Sequence, residues 1–178
     1  MLVKELLTEI GEDPAREGLI KTPKRVAASL QFLTSGYRAD VNKLINEACF
    51  AQETNSMVVV KDIELYSLCE HHMLPFYGRC HTGYIPRGRV FGISKLARLV
   101  DLFAQRLQIQ EWLMEQIAYA IKDSINADGV GVMIETRHFC MMMRDVQKQN
   151  SMFVTSSVLG VFCSNPATRE EFLSIINR

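Results

Sequence analysis

Two cysteines and the histidines beside them hold the chemistry this sequence offers. Cys69 and His72 bound the run Cys69-Glu70-His71-His72, and Cys140 closes His138-Phe139-Cys140. A Cys-x-x-His spacing suits a tight turn around one ion, and a thiolate from elsewhere in the chain makes three donors. Two thiolates and an imidazole favour Zn²⁺ over hard cations such as Mg²⁺ or Ca²⁺. Neighbouring side chains of an extended chain point to opposite sides, so His72 is expected to bind and His71 to face the space beside the ion. By the same parity His138 and Cys140 would share one face of a strand, with Cys140 completing the set and His138 nearby as a proton carrier. Three protein donors leave one position for water, which a metal acidifies to a pKa of about 7, so the chemistry implied is hydrolysis. The competing reading is a closed structural zinc with His81 or Cys80 as fourth donor.

A second group of residues has the character of an anion site. Gly92-Ile93-Ser94-Lys95 precedes an apolar helical pattern, with Ser94 at a plausible cap, Lys95 in the first turn and Arg98 three residues on. Arg144 and Lys148 follow Cys140 closely, which would suit a phosphorylated substrate. The spacing of a Walker phosphate loop is absent. Gln110-Glu111 reads as ordinary helix surface, yet a carboxylate is the right acceptor for the N1 and N2 donors of a guanine.

The elements that must position these residues follow from periodicity. Helices are expected over residues 2–10, from Thr22-Pro23 to about Leu33, and from an Asp40 cap through Leu44, Ile45 and Ala48. Valine and isoleucine mark a strand over 57–65, which pairs with a second over 76–86, the Cys-Glu-His-His run lying in the bend. One long helix is expected over 94–126, strands over 129–137 and 153–163, and a terminal helix capped by Thr168. The order is α+β, with a helical region over 1–56 and a catalytic domain over 57–178. Hairpins with open edges point to a sheet completed by neighbouring subunits.

With 20 basic and 20 acidic residues the chain has no net charge, so nothing overall favours nucleic acid or an anionic membrane. No apolar run is long enough to span a bilayer, and Glu9 and Glu12 follow too soon for a signal peptide, so the cytoplasm is expected. Cys49, Cys80 and Cys163 read as buried thiols, and the nine methionines as core filler.

Taken together, Cys69-Glu70-His71-His72, Tyr84-Ile85-Pro86, Gly92-Ile93-Ser94-Lys95-Leu96-Ala97-Arg98, Arg106-Leu107-Gln108-Ile109-Gln110-Glu111, His138-Phe139-Cys140-Met141 and Thr155-Ser156-Ser157 resemble GTP cyclohydrolase I. The similarity runs from about Gly11 to Leu173, nearly the whole chain. The resemblance implies a tunnelling fold whose subunits join into a β-barrel ring, two pentameric rings making a homodecamer with active sites between subunits. It implies conversion of GTP and water to formate and 7,8-dihydroneopterin triphosphate, the first step of tetrahydrofolate and pterin synthesis. Cys69, His72 and Cys140 would bind zinc, and His71 and His138 would serve proton transfers as water attacks C8 of guanine. Ser94 would assist the ribose rearrangement, Gln110 and Glu111 would hold the guanine, and Lys95, Arg98 and Arg144 the triphosphate. Arg25 would reach phosphate from a neighbouring subunit. Trp112, Asp145 and Met152-Phe153 depart from the family's usual residues, Asp145 standing where a glycine is common. A zinc nucleobase deaminase would need His-x-Glu and Pro-Cys-x-x-Cys, and neither is present.

Overall fold

Proline's fixed φ and missing N–H suit the first turn of a helix, and Pro23 stands there. The structure, a computed structural model, describes residues 2–46 and 49–178. Helix α1 is Leu2–Glu9 and α2 is Thr22–Leu33. A 3-10 helix at Ser35–Tyr37 leads to α3, Val41–Asn46, where Asp40 Oδ1 accepts from the Lys43 N–H at 3.2 Å. Ala48, expected in that helix, lies outside the described residues.

Next come β1 (Cys49–Ala51), β2 (Val58–Cys69), β3 (Pro75–Ile85), β4 (Arg89–Phe91), α4 (Ile93–Ala104), β5 (Leu107–Gln108) and α5 (Gln110–Ile125). The chain ends with β6 (Gly129–His138), α6 (Phe139–Met142), β7 (Phe153–Gly160), α7 (Val161–Ser164) and α8 (Pro166–Ile176). Five strands form one sheet in the order β5-β2-β3-β6-β7, antiparallel except for the parallel β2–β5 pair. The two expected hairpins are thus joined, because β3 pairs with β6 along ten residues from Phe76↔His138 to Ile85↔Gly129. β1 pairs with β4 in a separate two-stranded sheet.

Alternation places Phe76, Cys80, Tyr84, Val130, Val132 and Ile134 on one face, under Leu96, Leu99 and Val100 of α4 and Leu113, Ile117 and Ile121 of α5. In β2 a bulge between Val60 and Ile63 keeps Val58, Val60, Ile63 and Leu65 on that face despite their odd spacing. On the other face, Phe162 and Phe172 pack over Gly131 and Gly83, where an added Cβ would stand 2.7 to 3.0 Å from their rings.

The single helix expected over 94–126 is two. Both helices bury the same side against the sheet, so the apolar stripe runs through a break it cannot reveal. At the break Leu107 and Gln108 extend to pair with Leu68 and Cys69, and buried Gln108 donates from Nε2 to the Phe103 carbonyl at 2.8 Å and Gln116 Oε1 at 2.9 Å. The strand expected to reach residue 163 stops at Gly160, whose φ of 61° turns the chain into α7. The final helix is capped by Asn165, whose Oδ1 accepts from Ala167 N–H at 3.0 Å, and Thr168 lies inside it. Cys80 is buried as expected, but Cys49 is only half-buried and Cys163 exposed. Met73, Met141, Met143 and Met152 are exposed, so these four do not fill the core. No helix among the described residues is long and apolar enough to cross a membrane.

Candidate metal centre and active site

The metal trio is assembled by a turn and a helix start. Cys69 ends β2 with its N–H donated to the Leu74 carbonyl at 2.9 Å, while its own carbonyl accepts from Met73 N–H at 2.8 Å. Met73, at φ 53°, takes the left-handed conformation that closes this turn. His72 folds back, and its Nδ1 lies 3.8 Å from Cys69 Sγ. From the other side, β6 ends at His138 and the chain enters α6, which carries Cys140. The donor atoms of Cys69, His72 and Cys140 all lie within 4.8 Å of one another. Tetrahedral zinc, with sulfur at about 2.3 Å and nitrogen at about 2.0 Å, sets such donors roughly 3.5 to 3.8 Å apart. Burial, and then the neighbouring Cys69 sulfur, push the Cys140 thiol up.

Strand parity is not what separates the residues of each pair. His71 and His72 stand in a turn with rings edge to face at 6.2 Å, and His71 is exposed with Nε2 3.5 Å from Glu70 Oε1. Cys140 follows the strand's end, so a helical turn brings it round. Neither Cys80 nor His81 can be the fourth donor: Cys80 lies four residues along β3 from Phe76, about 13 Å at strand rise, and His81 one further.

His138 is held on three sides. Its ring stacks on Phe76 at 4.5 Å and 10°, and meets the Phe153 ring edge to face at 5.7 Å. Its Nε2 lies 3.1 Å from Gln110 Oε1. The Gln110 amide nitrogen faces the Ile134 and Phe153 carbonyls at 3.0 and 3.1 Å and Thr155 Oγ1 at 3.1 Å, so the oxygen is fixed as acceptor, shared with the Thr136 hydroxyl. The His138 proton therefore sits on Nε2 and the lone pair on Nδ1. Burial holds this imidazole below its ordinary 6.5, against the opposing pull of Glu111. Gln110 is 1% exposed and its side chain is wholly engaged with the chain itself. Glu111, the next residue of α5, is exposed.

The anion residues divide. Arg144 follows α6 near the metal trio, ion-paired to Asp145. The α4 group lies elsewhere: Gly92 caps that helix, so Ser94 and Lys95 stand inside its first turn. Phe91, just before it, donates its N–H to Tyr84 OH at 3.0 Å. Tyr84 is eight residues along β3 from Phe76, about 26 Å. Within one chain, Ser94 and Lys95 are at the opposite end of the sheet from Cys69, His72 and Cys140. Arg98 lines an open cavity of about 510 Å³ with Lys43, Asp40 and Asp101, and Arg25 is exposed in the first turn of α2. Thr136 and Phe76 had no signal as site residues in the sequence, and Thr155 stood only within a family motif, since strand register alone brings Phe76 to His138 and the two threonines to Gln110.

An α+β sheet whose end gathers two thiols, an imidazole and a second, half-buried imidazole has the donors of a metalloenzyme. The family model for GTP cyclohydrolase I matches residues 1–177. A GTP cyclohydrolase 1 of Leptospira biflexa is 59% identical over 98% of this chain and 96% of its own length. One from Campylobacter jejuni is 58% identical over 98% of this chain and 92% of its own. The chain is an enzyme of the GTP cyclohydrolase I family.

Proposed function

We propose that this protein is a zinc-dependent GTP cyclohydrolase I, converting GTP and water to formate and 7,8-dihydroneopterin triphosphate at the entry to tetrahydrofolate and pterin synthesis. The observation that carries the reading is the convergence of Cys69, His72 and Cys140 beside the half-buried His138. Zinc held by these three donors supplies Lewis-acid activation of water at neutral pH. His138, neutral with its lone pair on Nδ1, takes up and returns protons at the opening imidazole ring of the base, and exposed His71 exchanges them with solvent. Glu111 accepts from the guanine N1 and N2 donors. Gln110 shapes that end of the base site by fixing both His138 and the start of α5.

The triphosphate needs cations, and Arg144 is the one beside the trio. Ser94, Lys95 and Arg98, with Arg25, serve from neighbouring copies, Ser94 acting on the ribose. The place of Ser94 and Lys95 at the opposite end of the sheet supports this, as do the exposed Tyr66, Ile93 and Trp112, at 63%, 73% and 57%. The assembly we infer is a homodecamer of two five-membered rings, in which the sheets continue from subunit to subunit as a tunnelling-fold barrel. We assign 57–178 as the catalytic domain of a cytoplasmic enzyme and 1–56 as its N-terminal region, helical except for β1, which pairs with β4 of the catalytic domain.

Formate, pterin fluorescence after oxidation, and zinc content measured on one preparation test the reading. Formate and pterin in equal amounts, lost on metal stripping and restored by zinc, are expected. Formate no higher than in the stripped control overturns it.

A further inference from the structure

Resting on the reading in which Arg144 meets the triphosphate, we propose that Asp145 is an affinity-setting residue, a built-in counter-ion that competes with the phosphates for Arg144. Asp145 Oδ2 lies 2.6 Å from Arg144 Nη2. The backbone holds the pair close to the site: Gln147 N–H donates to the Arg144 carbonyl at 3.2 Å and Lys148 N–H to the Met141 carbonyl at 3.0 Å, curling the loop back onto α6, which carries Cys140. Asp145 has φ 43°, a conformation that glycine and asparagine adopt readily, so nothing in the backbone calls for a carboxylate.

A guanidinium fork accepts a carboxylate or a phosphate in the same way. With Asp145 on the adjacent residue, a phosphate must displace a tethered competitor. Once displaced, that carboxylate remains beside the bound anion as a like charge. The penalty therefore grows with the charge of the tail and weighs more on a triphosphate than on a monophosphate. Both partners are exposed, 45% and 67% by side chain, so the effect is moderate and fades with salt.

The test is calorimetric binding of GTP and of GMP to the zinc-loaded protein in a His138→Ala background that does not turn GTP over, with the pair unaltered and as Asp145→Asn, Arg144→Ala and the double variant. Asparagine keeps the left-handed backbone and removes the charge. At low ionic strength Asp145→Asn is expected to tighten GTP roughly three- to fivefold and GMP less, with the gain shrinking in high salt. In the Arg144→Ala background the same change should do nothing. In steady-state assays with His138 in place it should lower KM far more than it alters kcat. GTP binding unchanged in Asp145→Asn, or an equal gain without Arg144, overturns the proposal and leaves the cyclohydrolase reading standing. No GTP binding by the unaltered protein overturns both.

Discussion

Gln110 and His138 form one unit: the glutamine oxygen accepts a hydrogen bond from the histidine's Nε2–H at 3.1 Å, and three acceptors on β6 and β7 hold the glutamine's nitrogen. The residue that opens helix α5 thereby decides which nitrogen of His138 is free for chemistry.

Gln110→Glu should break this unit. A carboxylate cannot donate to the Ile134 and Phe153 carbonyls, and each buried acceptor left without a donor costs about 1 to 3 kcal/mol. We expect a lower Tm, and formate release reduced by at least about tenfold, with zinc content retained. Turnover and melting point equal to the unaltered protein would show that the hydrogen bonds do not hold His138.

Removing a donor should remove the metal. Cys140→Ser and His72→Ala are each expected to leave little zinc after dialysis, by elemental analysis, and no formate release. Metal binding stabilises only the folded state, so their melting points should also lose any dependence on added zinc. A Cys140→Ser protein that keeps stoichiometric zinc would mean the third donor lies elsewhere.

Acid should weaken the fold through His81. This imidazole is 5% exposed and its Nδ1 accepts from the Asp62 N–H at 3.2 Å, at the bulge of β2. Burial lowers its pKa from 6.5; Asp62 and Glu135 pull it back up, and Arg79 and Lys61 push it further down. The unfolded chain therefore binds the proton first. Stability from this source is intact above 6.5 and declines as pH falls from there through the folded value. Melting between about pH 7.5 and pH 5 should show that decline, and His81→Asn should make it shallower. An identical slope in the variant would remove His81 as its cause.

Gly78 should tolerate no side chain. A Cβ there would lie 1.9 Å from the Glu135 carbonyl oxygen, which is backbone of the paired strand and cannot step aside. Gly78→Ala is expected to cost about 1 to 3 kcal/mol in urea unfolding. A cost within the error of the measurement would mean that β3 and β6 are not so closely apposed.

Much of this was legible from residue type and spacing. The Cys-x-x-His spacing of Cys69 and His72 and the thiol of Cys140 announce one donor set before any fold is known, although a helical turn rather than the expected strand parity brings Cys140 to it. The α4–α5 break was hidden because hydrophobic periodicity reports which side of a helix is buried, and both helices bury the same side. Gln110 was misleading for a related reason: next to Glu111 it looks like a base-reading pair, but its amide is used up by β6 and β7 partners 24 to 45 residues away. The distance of Ser94 and Lys95 from the trio was likewise invisible, since it depends on strand register rather than on motif.

The two-residue strand β5 has a consequence for how this family can vary. It sets Gln108 beside Cys69, and the Glu70 N–H reaches the Gln108 carbonyl at 3.1 Å, so a metal donor and the start of α5 are measured from the same rung. Removing or adding one residue between Ala104 and Gln110 would turn α5 by about 100° and carry Glu111 to another side of the helix. The link's side chains are half-buried or buried, and Gln108 is bonded to Phe103 and Gln116, so a substitution there costs packing while a change of length displaces the whole of α5, and natural sequence drift in the link should be fixed in count.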